Sequence, residues 1–408
     1  MRAVLIPVLS MVGLAGFAAE QTEPALKDAF AVIHGKRADG GGYHPFYNYV
    51  IAPHAVVSRR VVYCAYQNTR GQPMAALYDV RRKQWIGPVR ASKIGLGGDD
   101  HGNPSIYLDR KGYVHLFYGC HNRAMRHTRS EHPHDITAWS ERKSPTGHAT
   151  YPQTMRLADG TFCLFCRAGG HPAPWTMRTS LDDCRTWRKG ERIIEMRAKP
   201  RDPRAAAYCC FFPGTERKTI HCFWNFKDDD PRRRPKAYPD LRESVYRYNI
   251  YYIRRDAEGI WRNAAGEEVA LPVSKVEADA KCMVYNSGEQ FAYPSSPIAD
   301  AEDRPYVRIS TGVQDWQPGK RRVIVPMRTK FATLREGKWE IVDEVPKRWP
   351  GDVTAVLRGP GPHAFGDAKP ERWFIFYRRF EKDRTGIFLY GTKTGYARRV
   401  RATKDAED

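Results

Sequence analysis

Long apolar runs are scarce in this 408-residue chain, and past its first 18 residues no stretch is long and apolar enough to cross a membrane. Helical periodicity is as hard to find. Short apolar or alternating runs bounded by Gly, Pro, Asn and Asp dominate instead, which is the pattern of an all-β protein. Acidic residues are outnumbered, 46 Asp and Glu against 67 Lys and Arg, for a net charge of +21. That balance favours an anionic partner. Cysteine cannot be fully paired, because nine is an odd count. Several of the nine lie inside apolar strand patterns, Cys163 and Cys166 among them, where a thiol is a small buried hydrophobe rather than half of a bridge. No linker of low complexity divides the chain.

The N-terminus carries the one long apolar run. Arg2 supplies a positive charge, Ala3 to Phe17 is apolar apart from Pro7, Ser10 and two glycines, and Gly16-Phe17-Ala18-Ala19 offers small residues for cleavage. Residues 1–18 therefore read as a secretory signal, with the mature protein secreted or periplasmic and free of the membrane once the signal is cut. Export makes nucleic acid a poor partner for the basic charge. An anionic polysaccharide suits both facts, and the expectation is a monomer. The remaining residues, 19–408, are expected to form one domain, since repeat architectures grow as a single body.

A hairpin recurs along them. Leu108-Asp109-Arg110-Lys111-Gly112 turns into the run Tyr113 to Tyr118, and Leu157-Ala158-Asp159-Gly160 turns into Thr161 to Cys166. Weaker copies turn into Thr219 to Trp224, Tyr306 to Ile309 and Trp373 to Tyr377. Turn chemistry followed by an aromatic-rich strand, spaced by about 50 residues or a little more, is the signature of a propeller blade. Six to eight blades fit, and the reading chosen is an all-β single β-propeller of seven blades, each a four-stranded antiparallel sheet. Residues 227–236, with three Asp followed by three Arg between prolines, read as an exposed loop.

Ser180-Leu181-Asp182-Asp183-Cys184-Arg185-Thr186-Trp187 resembles the Asp-box of sialidase-type propellers, with Cys184 in place of its glycine. Asp256 and Trp261 keep the same separation in a degenerate copy. The aspartate of such a box caps a tight turn while the tryptophan fills the gap to the next blade, so it argues for fold and not for chemistry.

Chemistry-bearing residues gather between Asp99 and Arg167. His101 stands in Asp99-Asp100-His101-Gly102-Asn103-Pro104, His121 in Tyr118-Gly119-Cys120-His121-Asn122, Tyr151 in Thr150-Tyr151-Pro152, and Arg167 ends the apolar run before it. All four fall at strand-to-loop junctions, where a sheet can aim side chains into a shared cleft. Asn103, Asn122, Asn225 and Arg247 are weaker candidates for substrate contact. His115, alternating within a strand, reads as core or channel lining, whereas His127, His132, His134 and His148 sit in polar loops and read as solvated.

These motifs resemble the seven-bladed propeller polysaccharide lyases, the ulvan lyases and rhamnose-glucuronate lyases among them. The resemblance implies a lyase that cleaves a uronate-containing anionic polysaccharide by β-elimination. His101 and His121 would be histidines of the catalytic centre, Tyr151 the general acid and a candidate base, and Arg167 the partner of the uronate carboxylate. The chemistry needs such a set: a cation stabilises charge spreading onto the carboxylate, a base takes the weakly acidic C5 proton, and an acid protonates the departing oxygen. None of this requires a cofactor. A structural metal ion would find its ligands at Cys209, Cys210, His221 and Cys222, although their spacing is not that of a standard finger. The alternatives are a sialidase-like glycoside hydrolase, with Asp99 or Asp100 as its acid, and a non-catalytic carbohydrate-binding propeller.

Overall fold

The computed structural model describes residues 50–408 except 198–204, 229–245, 316–322, 344–351, 359–372, 392–395, 405–408 and a few single or paired positions. The expected signal segment, the turn at 368–371 and most of the charged loop at 227–236 lie outside the described residues. The chain divides into two compact units, the first running to Arg156 and including Gly160–Gly170 and Thr176–Glu191, the second made of Leu157–Asp159, His171–Trp175 and the chain from Arg192 onward.

Strands β1 (Ala55–Ser58), β2 (Val61–Gln67), β3 (Pro73–Asp79) and β4 (Gln84–Arg90) form one antiparallel meander. A second sheet takes β5 (Ser105–Leu108) and β6 (Val114–Tyr118), passes over the short β7 (His121–Arg123), and continues with β8 (Arg126–Ser130) and β9 (Trp139–Arg142). β7 instead joins β10 (Ala149–Arg156), at the edge of a sheet that continues through β11 (Phe162–Arg167), β12 (Trp175–Ser180) and β13 (Glu191–Ile194). That transfer of β7 is what positions the candidate site.

In the second unit β14 (Ala205–Pro213), β15 (Ile220–Asp228), β16 (Tyr246–Arg255) and β17 (Trp261–Arg262) lie in order, with a helix α1 (Lys275–Lys281) leading to β18 (Met283–Tyr285) on β16. Two four-stranded meanders follow, β19 (Phe291–Ala299) to β22 (Lys338–Asp343) through β20 (Pro305–Asp315) and β21 (Val323–Arg335), then β23 (Asp352–Arg358) to β26 (Tyr396–Lys404) through β24 (Trp373–Glu381) and β25 (Arg384–Gly391). Six sheets of four or five strands are thus present among the described residues. The helix has no counterpart in the sequence reading; Ser274 caps it by accepting from the Glu277 N–H. β15 also runs past the expected loop start, so Lys227 is a buried strand residue.

The expected turn devices are present. Asp109 Oδ1 accepts from the Lys111 and Tyr113 N–H groups at 2.8 and 2.9 Å, closing the turn before β6. In the Asp-box, Asp182 accepts from the Thr186 N–H at 2.9 Å and the Thr186 hydroxyl at 2.6 Å. Cys184 takes φ +67°, the left-handed backbone that a glycine would adopt there freely. Trp187 stands edge-on to Phe117 and Phe162, at 5.9 and 5.7 Å between ring centroids. Those rings belong to a core with Tyr107, Leu164, Cys120 and Cys166, and all nine cysteines are buried free thiols. β11 is buried at every residue, as a short continuous apolar run implies.

Candidate active site

The site is built on three adjacent strands of the first unit. Thr150 on β10 lies opposite His121 on β7 to one side and opposite Arg167 on β11 to the other, so these three form a row across the sheet. Tyr151 follows Thr150, where the register between β10 and β11 shifts, and it takes φ +61°. A bulky aromatic residue in that region is strained by roughly 1–3 kcal/mol, and such strain persists where the surrounding structure holds it. The irregularity re-aims the side chain. Tyr151 Oη thereby comes within 2.7 Å of His101 Nε2.

His101 reaches the same place from a single 3-10 turn, Asp100–Gly102, that precedes β5. Asp99 fixes that turn by accepting the His101 N–H at 3.0 Å, and the same carboxylate oxygen accepts from His101 Nδ1 at 2.6 Å. Its other oxygen accepts from His121 Nδ1, also at 2.6 Å. The two imidazoles stack with centroids 3.8 Å apart and planes 11° apart. Burial opposes charge on Asp99, but hydrogen bonds from His121 and from the amide and ring of His101 outweigh it and hold the carboxyl below its usual range. The Arg167 guanidinium carbon lies 5.0 Å from the Tyr151 ring centroid, a cation–π distance.

Exposure grades across the set. The side chains of His121, Asp99 and His101 are 38%, 34% and 23% exposed, while Tyr151 and Arg167 are 3% and 1% exposed. Solvent therefore reaches the histidines, with Arg167 enclosed behind the tyrosine.

All four expected catalytic residues come together, and Asp99, expected only as an acid in the hydrolase alternative, is the residue that joins both histidines. The signal for it was in the sequence as the Asp-x-His spacing, which lets one carboxylate meet both the amide and the ring two residues on. Thr150 went unnoticed too; its hydroxyl accepts the Asn122 N–H at 3.0 Å and steadies β7. Asn103 is buried just before β5, and Asn122 is exposed at φ +55° beside His121. Asn225 and Arg247 belong to the second unit. Asn225 was expected just after its strand but lies inside β15, because the strand runs on to Asp228; its amide donates to the Ala292 carbonyl at 2.9 Å. Arg247 on β16 lies 4.4 and 5.1 Å from the ring centroids of Tyr208 and Tyr293.

His127, expected in solvent, is buried on β8, where it stacks on Phe117 at 4.4 Å. β8 reads Arg-His-Thr-Arg-Ser, with no apolar residue to mark it as a strand. His115 is buried, as expected of a core residue.

Among the described residues, Asp99, His101 and His121 are the His/Cys/Asp/Glu group whose ligand atoms all lie within 4.8 Å of one another. Both histidines turn Nδ1 to this carboxylate, at 2.6 Å in each case. Cys209, Cys210, His221 and Cys222 do not approach so closely among the described residues. His221 meets Tyr252 Oη at 2.7 Å through Nδ1 and Asp303 at 3.3 Å through Nε2.

Residues 61–343 match the model for BNR repeat-containing family members. An ulvan lyase of Pseudoalteromonas sp. (strain PLSV) is 28% identical over 305 residues, which cover 68% of this chain and 60% of that protein. An ulvan lyase of Alteromonas sp. (strain LOR) is 27% identical over 289 residues, covering 64% of this chain and 58% of the relative. The chain thus spans 60% or less of the length of these two curated relatives. A solved ulvan lyase bound to -[GlcA(1-4)Rha3S]- superposes with a TM-score of 0.74 at 22% identity, covering 90% of this chain and 86% of that one, a likeness of fold.

Proposed function

The chain belongs to the BNR repeat-containing family, and from that premise we propose that it is a polysaccharide lyase cleaving a uronate-containing anionic polysaccharide of the ulvan class by β-elimination. The observation that carries this reading is the pairing of His101 and His121 on one carboxylate, with the Tyr151 hydroxyl on His101 and Arg167 against the phenol ring. The similarity to ulvan lyases and the net charge of +21 support the same substrate class.

Elimination at a 4-linked uronate removes the C5 proton and expels the O4 substituent. The positive charge of Arg167 favours an anion on or against Tyr151, either a phenolate or the uronate carboxylate docked beside it. His101, His121 and Tyr151 supply the proton-transfer groups, and hydrogen-bond contact between His101 and Tyr151 lets a proton pass between them. Each product keeps its atoms: one new chain end carries the C4–C5 double bond, and the other receives a proton on its freed oxygen. On this reading the protein is exported, acts as a monomer, closes as a single seven-bladed propeller and needs no cofactor for the chemistry.

The test is ultraviolet absorbance during incubation with ulvan, gum arabic, glycosaminoglycans and pectic rhamnogalacturonan. A rising signal from the unsaturated uronate is the expected result on ulvan. New reducing ends without that signal would mean hydrolysis instead, and neither change on any of them would reduce the protein to a binder.

A further inference from the structure

Both imidazoles of the candidate site turn the same nitrogen toward the same carboxylate, one to each oxygen, at the same 2.6 Å. We infer that Asp99 is the positioning residue of the proton-transfer set: it locks His101 and His121 together in the Nδ1–H tautomer and thereby fixes the direction of every proton around Tyr151. An ionised carboxylate only accepts hydrogen bonds, so the nitrogen against each oxygen carries hydrogen. In a neutral ring the second nitrogen is then an acceptor.

The consequences differ at the two rings. His101 Nε2 is 2.7 Å from Tyr151 Oη, so the phenol donates to it and is set up to lose its proton in that direction. His121 presents Nε2 as an acceptor on a side chain that is 38% exposed. With the opposite tautomers, His101 would donate to the phenol and His121 would offer an N–H where a base is needed. Stacking at 3.8 Å holds the rings parallel, so one two-oxygen group serves both. Asp99 need not touch substrate for this, and its role is separate from that of the residues it orients.

The consequence for rate rests on the elimination reading, whereas the tautomers belong to the protein alone. Long-range proton–nitrogen correlation spectra of the full chain labelled at histidine nitrogen, assigned with His101→Ala and His121→Ala, read the tautomers without substrate. Both rings are expected as Nδ1–H in the wild-type protein. Asp99→Asn offers one acceptor and one donor, so one ring of the pair should invert to Nε2–H. On the polysaccharide, kcat should fall by about 10²–10⁴-fold, the range of general acid–base catalysis, with KM within about threefold.

An Nε2–H signal from either ring in the wild-type protein overturns the inference, and that spectrum decides even if Asp99→Asn fails to fold. So does an Asp99→Asn protein that keeps both tautomers and a kcat within about twofold of wild type. A wild-type protein with both Nδ1–H tautomers and no elimination product would fault the lyase reading and leave this role of Asp99 standing.

Discussion

The first unit holds two sets of one aspartate and two histidines, and they are wired differently. In the candidate site Asp99 is a fork, accepting from Nδ1 of both rings. In the core, Asp109, His115 and His127 form a chain: His115 Nε2 donates to Asp109 Oδ2 at 3.2 Å, and His115 Nδ1 accepts from His127 Nε2 at 2.9 Å. The side chains of the fork are 23–38% exposed, whereas the chain is almost wholly shut off from water, its histidines at 1% and 3%. Burial pushes the His115 imidazole down against the opposing hydrogen bond to Asp109, and pushes His127 well down. The chain is therefore held neutral at its histidines and serves packing, while the fork keeps its rings open to water. Residue types alone do not separate the two; the nitrogen that faces the carboxylate and access to water do.

The largest expected effect lies at the fork. Tyr151→Phe removes the hydroxyl that meets His101 and should lower kcat by about 10³-fold or more, within the range of general acid–base catalysis. Its thermal midpoint should move little, and a loss of activity matched by unfolding would break the comparison. Arg167→Lys keeps the charge but loses the planar face against Tyr151, and kcat/KM measured on the same polysaccharide should drop by about 10–100-fold.

Substitution in the chain should act on stability instead. Asp109→Asn turns an amide donor toward the His115 N–H and should cost about 1–3 kcal/mol in denaturant titration, with kcat per folded molecule unchanged. Acid should also find the chain first. The two imidazoles bind protons more readily when unfolded, so the unfolded state holds more protons below a pH of about 6.5 and stability falls as pH drops from there. Asp99 and Asp109, both held low, add a further loss only as pH falls below about 4. Midpoints recorded from pH 7.5 to 5 should decline, and His127→Gln should flatten the decline; an equal slope in the variant would remove the chain from the explanation. The smallest effect belongs to the Asp-box, where Asp182→Ala loses the bonds to Thr186 and should cost about 1 kcal/mol of stability with no change in rate.

Much of this was legible in the sequence. The runs starting at Tyr113, Thr161, Thr219, Tyr306 and Trp373 each fall on an observed strand within a residue at the start. Alternation with aromatic enrichment is a strong signal where a strand is long and one-sided. β7 left no such trace, since three residues carry no period, and its departure to β10 is fixed by tertiary pairing with Thr150. The Tyr151 backbone, at φ +61°, was equally hidden, because nothing in Thr-Tyr-Pro marks a left-handed tyrosine. His101, His121, Tyr151 and Arg167 were found through their motif. The carboxylate that unites the rings was not, because the contact from Asp99 to His121 spans 22 residues and only folding closes it.

The contrast between fork and chain comes down to one measurement: the initial rise in ultraviolet absorbance on ulvan for wild type, Asp99→Asn and Asp109→Asn, each normalised to folded protein. A rise is expected with wild type, the same rise with Asp109→Asn, and a nearly flat trace with Asp99→Asn. A flat trace with wild type, or one from Asp109→Asn beside an undiminished Asp99→Asn, would contradict that expectation.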